Sequence, residues 1–243
     1  EFRRVLFRSS ISGDTSSGGL ARLPALLAEH RPELVIIELG GNDGLRGQPT
    51  EQLQQNLANM IAASKSSGAQ VLLLGSVDKA LAPLNLPGDL EGCHFENGEV
   101  RTPKGFKEAY DQYVAGGWQG LSHPQEYGGQ GMPMSLGLIK SEMMGTANWS
   151  FTMYPGLSLG CMNTIMQHGT TEQKNTFMPP LVEGRWTGTM CLTEPHCGTD
   201  LGQMKTKAEP QADGSYKITG TKIFITGGEH DLTDNIVHLV LAR

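Results

Sequence analysis

A change of sequence pattern at about residues 75–79 divides the chain and limits what it can fold into. Before this point, short apolar runs such as Leu34–Leu39 (LVIIEL) alternate with amphipathic stretches. After it the chain is rich in Pro, Gly and charge, and helical spacing then dominates. Complete domains normally join through linkers, and none separates the two patterns. We therefore predict two partial units and favour a misassembled reading frame, with a genuine fusion gene as the alternative.

The first unit, residues 11–75, has the pattern of an α/β fold. Two amphipathic helices are indicated. The first ends at Pro32 and has its apolar positions at Leu20, Leu23, Leu26 and Leu27. The second begins at Pro49-Thr50 and has its apolar positions at Leu53, Leu57, Met60 and Ile61. The apolar runs Leu34–Leu39 and Val71–Leu74 are typical of parallel strands covered on both faces. This order predicts β-α-β packing, which binds ligands at the carboxyl ends of its strands.

The second unit begins with helices. Helical spacing covers three stretches, at residues 103–114, 136–148 and 157–168. Gly169 is the expected stop of the third helix. Thr170 and Gln173 have capping-box spacing and predict a further short helix, which Pro179-Pro180 is expected to end.

From Trp186 onward the pattern is β, so the second unit is predicted to be α+β. We expect a helical domain over residues 76–185 and an antiparallel β domain over residues 186–243. Two of its strands are predicted at Tyr216–Thr219 and Lys222–Ile225, behind an Asp213-Gly214 turn.

The most specific chemical signal is the stretch Met190–Asp200 (MCLTEPHCGTD). It is typical of a strand that ends in a turn. Pro195 removes a backbone donor, and Gly198 suggests a dihedral that other residues resist. Such a turn leaves backbone N–H groups free for a ligand.

Composition bears on the class of partner. Nineteen Lys plus Arg against 25 Asp plus Glu give a net charge of −6. With no long basic run after residue 10, this argues against nucleic acid and favours a small molecule. No apolar run reaches the roughly 18 residues that a membrane helix needs. Residues 1–10 (EFRRVLFRSS) lack a signal-peptide pattern and are interpreted as a cloning or sequencing leader, or else as the ragged end of a strand.

The cysteines indicate a reducing compartment. The four of them, Cys93, Cys161, Cys191 and Cys197, form no C-x-x-C pair, so neither a zinc site nor a disulfide framework is indicated. We expect buried, reduced thiols, no metal, and a cytoplasmic location.

The segments ISGDTSSGGLARLPALL and ELGGNDGLRG resemble the SGNH (GDSL-type) esterase and thioesterase family over residues 11–75. The resemblance implies a flavodoxin-like α/β fold in which the Gly13 N–H and the Asn42 side chain form an oxyanion hole. From spacing alone, Asn42 is more readily a turn residue in GGNDG than a functional one. The family's GDS serine and its Asp-x-x-His do not occur in this pattern, so we predict a vestigial site without esterase activity.

Four segments after residue 79 resemble the acyl-CoA dehydrogenases, and the resemblance covers about residues 78–243. They are HPQEYGGQG, GTTEQK, LVEGRWTGTMCLTEPHCGTD and ADGSYKITGTKIFITGGEHD. The run LAPLNLPGDLEGCHFENGEVRTPKGFKEAY is similar to the branch acting on 3-methylthiopropionyl-CoA. The resemblance implies FAD as cofactor, an acyl-CoA substrate, and homo-oligomeric full-length relatives.

The same resemblance implies roles for individual residues. Leu192 and Thr193 would contact the flavin pyrimidine edge, and Thr226 would donate to the N5 region. Phe224, where many relatives have Trp, would pack beside the isoalloxazine. Gly198 and Thr199 would line the entrance for the CoA arm. Thr199 stands where many relatives have Ser.

Five further side chains are candidate catalytic residues from their position in the sequence. Glu194 and His196 could be acid and base, but the family's base comes from a later helical segment, so we expect Glu194 to support the turn. Glu229-His230-Asp231 is expected to be a solvated hairpin end. Without that later carboxylate the chain should hold FAD weakly and dehydrogenate nothing. The alternatives are an SGNH esterase fragment without its Ser and Asp/His, and a non-catalytic chimeric translation.

Overall fold

A computed structural model describes residues 14–37, 39, 42–43, 46–73 and 81–243. The chain divides into two compact units, Glu1–Lys79 and Ala80–Arg243, each described here by itself. The leader at residues 1–10, Gly13 and the junction at residues 75–79 lie outside the described residues.

The first unit has the predicted order of helix, strand, helix, strand. Its elements are α1 (Ser16–His30), β1 (Leu34–Ile37), α2 (Thr50–Ser66) and β2 (Gln70–Leu73). The two strands are parallel, with Leu34 opposite Gln70. Leu27, Ile37, Leu53 and Met60 are buried in its core. The period-3.6 and continuous apolar patterns therefore identified these elements correctly.

The helical part of the second unit contains α3 (Asn85–Glu91), α4 (Phe106–Ala115), α5 (Met134–Ala147), α6 (Trp149–His168) and α7 (Thr171–Val182). Short 3₁₀ turns cover Ala82–Leu84, Gln125–Tyr127 and Leu201–Gln203. An aromatic cluster joins α4 to α6, where Phe106 and Phe151 meet edge to face with ring centroids 5.8 Å apart. No helix in the described ranges is long and apolar enough to cross a membrane.

The predicted capping box is present, but two helix ends differ from expectation. The Thr170 hydroxyl accepts from Gln173 N, and Gln173 Oε1 accepts from Thr170 N. The helix α7 continues through Pro179-Pro180 to Val182, because Met178, Leu181 and Val182 are buried and their packing outweighs the missing N–H donors. Gly169 ends α6 in an extended conformation (φ −69°, ψ 147°), not the left-handed one.

The helix α6 begins eight residues before its predicted start, at Trp149 instead of Leu157. The Asn148 side chain caps it by accepting from Phe151 N at 2.8 Å. The helix runs through Pro155-Gly156, and Phe151 and Thr152 are buried on the N-terminal side of that pair. Core burial of this first part outweighs the local breaker signal.

A β-hairpin that was not predicted lies in the stretch rich in Pro, Gly and charge that follows residue 79. Strands β3 (His94–Glu96) and β4 (Glu99–Arg101) pair antiparallel across Asn97-Gly98. Both turn residues have positive φ, 53° and 85°. Asn-Gly is the preferred pair for such a two-residue turn, so the signal was present in the sequence.

The β part of the second unit departs from the predicted antiparallel layout. Its strands are β5 (Trp186–Cys191), β6 (Lys207–Pro210), β7 (Tyr216–Thr219) and β8 (Asn235–Val240). The pair β6–β7 is antiparallel, as its Asp213-Gly214 turn predicts. The pair β5–β8 is parallel, because the long connection between them lets β8 return in the direction of β5. The predicted strand at Lys222–Ile225 is not formed.

The strand β5 is held against α6 by a close backbone approach. Gly188 N donates to Ser158 Oγ at 3.0 Å, and a Cβ at Gly188 would lie 2.4 Å from the Cβ of Cys161. Only glycine fits there. The contact holds the middle of β5 against α6, and the stretch Met190–Asp200 starts with the last two residues of this strand.

Candidate functional site

The turn after β5 is built by residues 194–197. Glu194 N donates to Cys197 O at 2.8 Å, and Cys197 N donates to Glu194 O at 3.2 Å. Gly198 does not adopt the unusual dihedral that the sequence suggested, since it is not among the positive-φ glycines. Instead it lies beside Thr193, where an added Cβ would be 3.6 Å from Thr193 Cγ2. The glycine therefore leaves space next to the Thr193 side chain.

Two backbone donors are free at the end of β5. The N–H groups of Leu192 and Thr193 have no hydrogen-bond acceptor within the described part of the chain. Both residues are half-buried, so neither is fully hydrated. Half-buried backbone donors without a protein acceptor are uncommon and suit a ligand with acceptor atoms.

A second segment, residues 222–226, runs beside this strand end although it is not a strand. Lys222 Nζ donates to Leu192 O at 2.9 Å, and Ile223 N donates to Thr193 O at 2.9 Å. These two bonds bring the segment that carries Phe224 and Thr226 next to Leu192 and Thr193. The four residues that the resemblance assigned to one cofactor thus belong to two adjoining segments.

Phe224 combines two unusual properties. Its backbone is left-handed (φ 56°), and its side chain is 87% exposed. A bulky residue in this region carries strain of about 1–3 kcal/mol, which persists only where the surroundings impose it. A strained backbone that presents an aromatic ring to solvent is typical of a ligand-contacting position. Thr226 and Thr199 are exposed as well.

Glu194 lies beneath the turn and does not face a ligand. It is 3% exposed, and its carboxylate accepts from Lys205 N, Thr206 N and Lys222 Nζ at 2.8, 3.0 and 2.9 Å. Hydrogen bonds from Thr206, Lys205 and the Lys222 ammonium hold the pKa of Glu194 well below its usual range. A carboxylate that resists protonation in this way is a poor general base, and its bonds support the turn.

Lys222 is a residue of this candidate site that the sequence did not reveal. Its ammonium bonds both the Glu194 carboxylate and the Leu192 carbonyl, so one cation joins the two segments. The available signal was a charged residue inside the otherwise apolar run KIFI, which usually has a specific partner when half-buried.

The ligand atoms of Glu194, His196 and Cys197 lie within 4.8 Å of one another, which is close enough to hold a metal ion. Two contacts oppose this role. The Lys222 ammonium is 2.9 Å from the Glu194 carboxylate, where it would repel a cation, and His196 Nε2 lies 3.0 Å from Gln203 O. The geometry favours a hydrogen-bonded turn over a metal centre.

The predicted solvated hairpin end at Glu229-His230-Asp231 is wrong for His230, whereas Glu229 and Asp231 are exposed. His230 is 5% exposed, accepts from Leu232 N at Nδ1, and so donates from Nε2 to Thr187 Oγ1 at 2.9 Å. The Asp231 carboxylate accepts from Thr102 N and Oγ1 at 3.0 and 2.7 Å. These side chains tie the loop to β5 and to the end of β4.

The cysteines are all free, but not all are buried as expected. Cys161 and Cys191 are buried, Cys197 is half-buried and Cys93 is exposed. Cys93 follows α3 and lies 3.6 Å from the Tyr154 hydroxyl.

In the first unit, Asn42 lies next to the residue that follows Gly13. Asn42 Nδ2 donates to Asp14 O at 2.8 Å. Ser16 is fully buried, and both its N–H and its hydroxyl donate to the Asp43 carboxylate, at 2.8 and 2.5 Å. Asn56 Nδ2 donates to the same hydroxyl at 2.9 Å. Ser16 is therefore a structural residue without access to a substrate.

Comparison with known proteins identifies two families along this chain. Residues 94–185 match the acyl-CoA dehydrogenase N-terminal domain. Residues 2–115 match the GDSL-like lipase/acylhydrolase family. This second match overlaps the first at residues 94–115.

Two curated relatives and one solved structure illustrate the two parts. The chain is 52% identical over 163 residues to 3-methylmercaptopropionyl-CoA dehydrogenase of Ruegeria pomeroyi, covering 67% of this chain and 28% of that protein. It is 72% identical over 67 residues to esterase TesA of Pseudomonas aeruginosa, covering 28% and 33%. A Bacillus anthracis acyl-CoA dehydrogenase complexed with FAD has a TM-score of 0.50 and 28% identity, covering 57% of this chain and 23% of that chain.

The chain thus spans about a third or less of the length of each curated relative described. Helices α4 to α7 lie within the dehydrogenase match, and α1 through β2 lie within the esterase match. This chain therefore contains an acyl-CoA dehydrogenase N-terminal domain, preceded by part of a GDSL-like esterase domain.

Proposed function

We propose that residues 80–243 form part of an FAD-dependent acyl-CoA dehydrogenase site. In this proposal the N–H groups of Leu192 and Thr193 and the Thr193 hydroxyl bind the flavin pyrimidine edge. Thr226 donates near N5, and Phe224 packs beside the ring system. The observation that carries it is the exposed, left-handed Phe224 next to two free backbone donors.

Bound FAD would accept a hydride from the β carbon of the acyl-CoA thioester. The residues of this chain would hold the ring and the thioester in register, since orientation is the main contribution of a protein to such chemistry. Gly198 and the exposed Thr199 hydroxyl follow the turn and would meet the CoA arm. The 52% identity to a 3-methylmercaptopropionyl-CoA dehydrogenase favours a short thioether acyl-CoA as the substrate.

We further propose that the chain by itself holds FAD weakly and does not dehydrogenate. Phe224, Thr226 and Thr199 are exposed, so these contacts cover one side of a bound ring. Near the turn, Glu194 is occupied by Lys222 and two backbone donors, and His196 bonds Gln203 O. Neither group is available to remove an α proton.

Flavin binding by the full chain tests the site. Titration with FAD, followed by flavin fluorescence, should give a weak but saturable signal. Phe224→Ala should lower the affinity about tenfold or more, since stacking of an aromatic side chain contributes roughly 1–3 kcal/mol in comparable ring contacts. Phe95→Ala is the matched control, because Phe95 on β3 is 76% exposed and lies outside the site. Equal loss in both variants would contradict the assignment, and acyl-CoA-dependent reduction of an acceptor dye would contradict the proposed inactivity.

For residues 11–75 we propose a vestigial oxyanion hole without hydrolytic activity. Asn42 sits beside residue 14, which supports the proposed pairing with Gly13, but the buried Ser16 has no access to an ester. The purified chain should not hydrolyse p-nitrophenyl butyrate above the background rate. Turnover that disappears in Asn42→Ala would overturn this part of the proposal.

We also propose that the two units come from separate genes. The esterase-like part has 72% identity to a relative of which it covers 33%, and a dehydrogenase pattern follows at once. Amplification and sequencing of source DNA across the codons for residues 74–80 is the test. Separate genes on either side are expected, and one continuous frame in genomic DNA would establish a genuine fusion.

A further inference from the structure

A buried lysine in the helical part of the second unit has no carboxylate partner. Lys140, on α5, is 8% exposed. Its ammonium donates to Tyr113 Oη at 2.9 Å and to Trp118 O at 3.1 Å. Among the described residues no carboxylate oxygen lies within 4 Å of it. Burial lowers the pKa of Lys140 to about 8, so the amine is still mainly charged at pH 7.

The hydrogen bonds of Tyr113 fix the orientation of a neighbouring amide. Because its hydroxyl accepts from Lys140, its own proton goes to Gln119 Oε1, at 2.9 Å. This arrangement makes Gln119 Nε2 face away from Tyr113. Gln119 is 3% exposed, yet Nε2 has no hydrogen-bond acceptor within the described chain.

His123 is a second buried group without partners. It is 4% exposed, and neither ring nitrogen has a hydrogen-bond partner among the described residues. Burial, together with the charge of Lys140, lowers its pKa. A neutral imidazole still offers one N–H donor. Buried polar groups are rarely left unpaired, so two such groups side by side point to a species between them.

The three groups line one small cavity. Its volume is about 10 Å³, and Lys140, Gln119 and His123 share its wall with Leu121, Ser122, Met134, Gly137 and Leu159. The volume is close to that of one water-sized occupant. The amide and the imidazole can donate into it, and the ammonium contributes positive charge. The Ser122 hydroxyl donates instead to Pro133 O at 3.3 Å.

We propose that this cavity binds a monoatomic anion, with chloride as the physiological candidate. The donors suit an acceptor, and an anion also compensates the ammonium charge, which a water molecule would leave uncompensated in a buried setting. The cavity is too small for sulfate or phosphate. Nothing in the proposed flavin site uses these residues, so the anion has a structural role in the helical part.

The test compares salts at matched ionic strength with the full chain. Thermal unfolding is followed in sodium chloride and in sodium gluconate, whose anion is too large for the cavity. Chloride should stabilise the protein saturably, and at ten times its dissociation constant it should raise the folded-to-unfolded ratio about 11-fold. Lys140→Met should abolish the difference between the salts. Lys107→Met, which removes an exposed lysine paired with Asp111, should retain it.

A second measurement does not depend on a variant that folds. Crystals of the unaltered protein soaked in bromide should show an anomalous peak between Gln119 and His123. Such a peak together with the chloride response supports the proposal. A water molecule at that position without anomalous signal, or identical unfolding in chloride and gluconate, overturns it.

Discussion

Lys222 Nζ lies 2.9 Å from Glu194 Oε1, and the two side chains are only 10% and 2% exposed. The pair joins the turn after β5 to the segment that carries Phe224. A buried ion pair need not add net stability, but loss of one partner leaves an uncompensated charge. We therefore regard Lys222 as the residue that positions the two halves of the proposed flavin-contacting surface.

Replacing Lys222 by Met should lower both stability and flavin affinity. The Glu194 carboxylate would remain buried with its charge unpaired, and Leu192 O would lose its donor. We expect a clear drop in the urea midpoint and a decrease in FAD affinity of about tenfold. Lys217→Met, at an exposed position on β7, is the control and should change neither.

The double variant Lys222→Met/Glu194→Gln gives the decisive comparison for this pair. Removing both charges should recover part of the stability lost in Lys222→Met, because residues in direct contact couple. Purely additive losses would show that the two side chains act independently.

The strain at Phe224 predicts that glycine and alanine at this position differ in stability but not in flavin binding. Phe224→Gly should be more stable than Phe224→Ala by about 1 kcal/mol, since alanine keeps the Cβ that disfavours the left-handed region. Both variants should lose flavin affinity, because neither carries a ring. Urea unfolding and FAD titration of the two proteins measure this. If alanine is the more stable of the two, the left-handed backbone at this position is wrong.

The buried histidines predict a loss of stability in mild acid. Burial lowers the pKa of His230 and of His123, so below the ordinary value of about 6.5 the unfolded chain binds more protons than the folded one. Stability from these groups is present above that pH and is lost as the pH falls towards their folded-state values. Urea midpoints should therefore decrease between pH 7 and pH 5, and His230→Gln should reduce the slope. An unchanged slope would mean that His230 is accessible to protons in the folded state.

The capping box of α7 predicts a local effect. Thr170→Ala removes the acceptor for Gln173 N and should lower the free energy of unfolding by about 1 kcal/mol. Thr170→Ser keeps the hydroxyl and should be close to the unaltered protein. Denaturant unfolding of both variants decides whether the cap contributes as its geometry indicates.

Local chemistry made part of the fold predictable from sequence. Thr170 and Gln173 form the expected reciprocal bonds, and the apolar runs near Leu34 and Val71 form a parallel pair. Tertiary packing decided the rest. The helix α7 crosses Pro179-Pro180 because the residues around them are buried, a fact that single-residue propensities do not contain.

The candidate site, too, was only partly predictable from the sequence. The sequence identified the turn near Glu194, but the structure forms it without the dihedral expected at Gly198. The sequence did not reveal that Lys222 bonds the Leu192 carbonyl, or that the buried His230 bonds Thr187. These contacts join residues far apart in the chain, and no local spacing encodes them.

The central claim is that the end of β5 and the segment 222–226 form one flavin-contacting surface. An NMR titration of the isotope-labelled full chain with FAD tests it most directly. We predict that the amide signals of Leu192, Thr193, Phe224 and Thr226 shift together and saturate at one common affinity, while those of the β3–β4 hairpin stay in place. Shifts confined to other residues, or no shift at Leu192 and Thr193, would contradict the account.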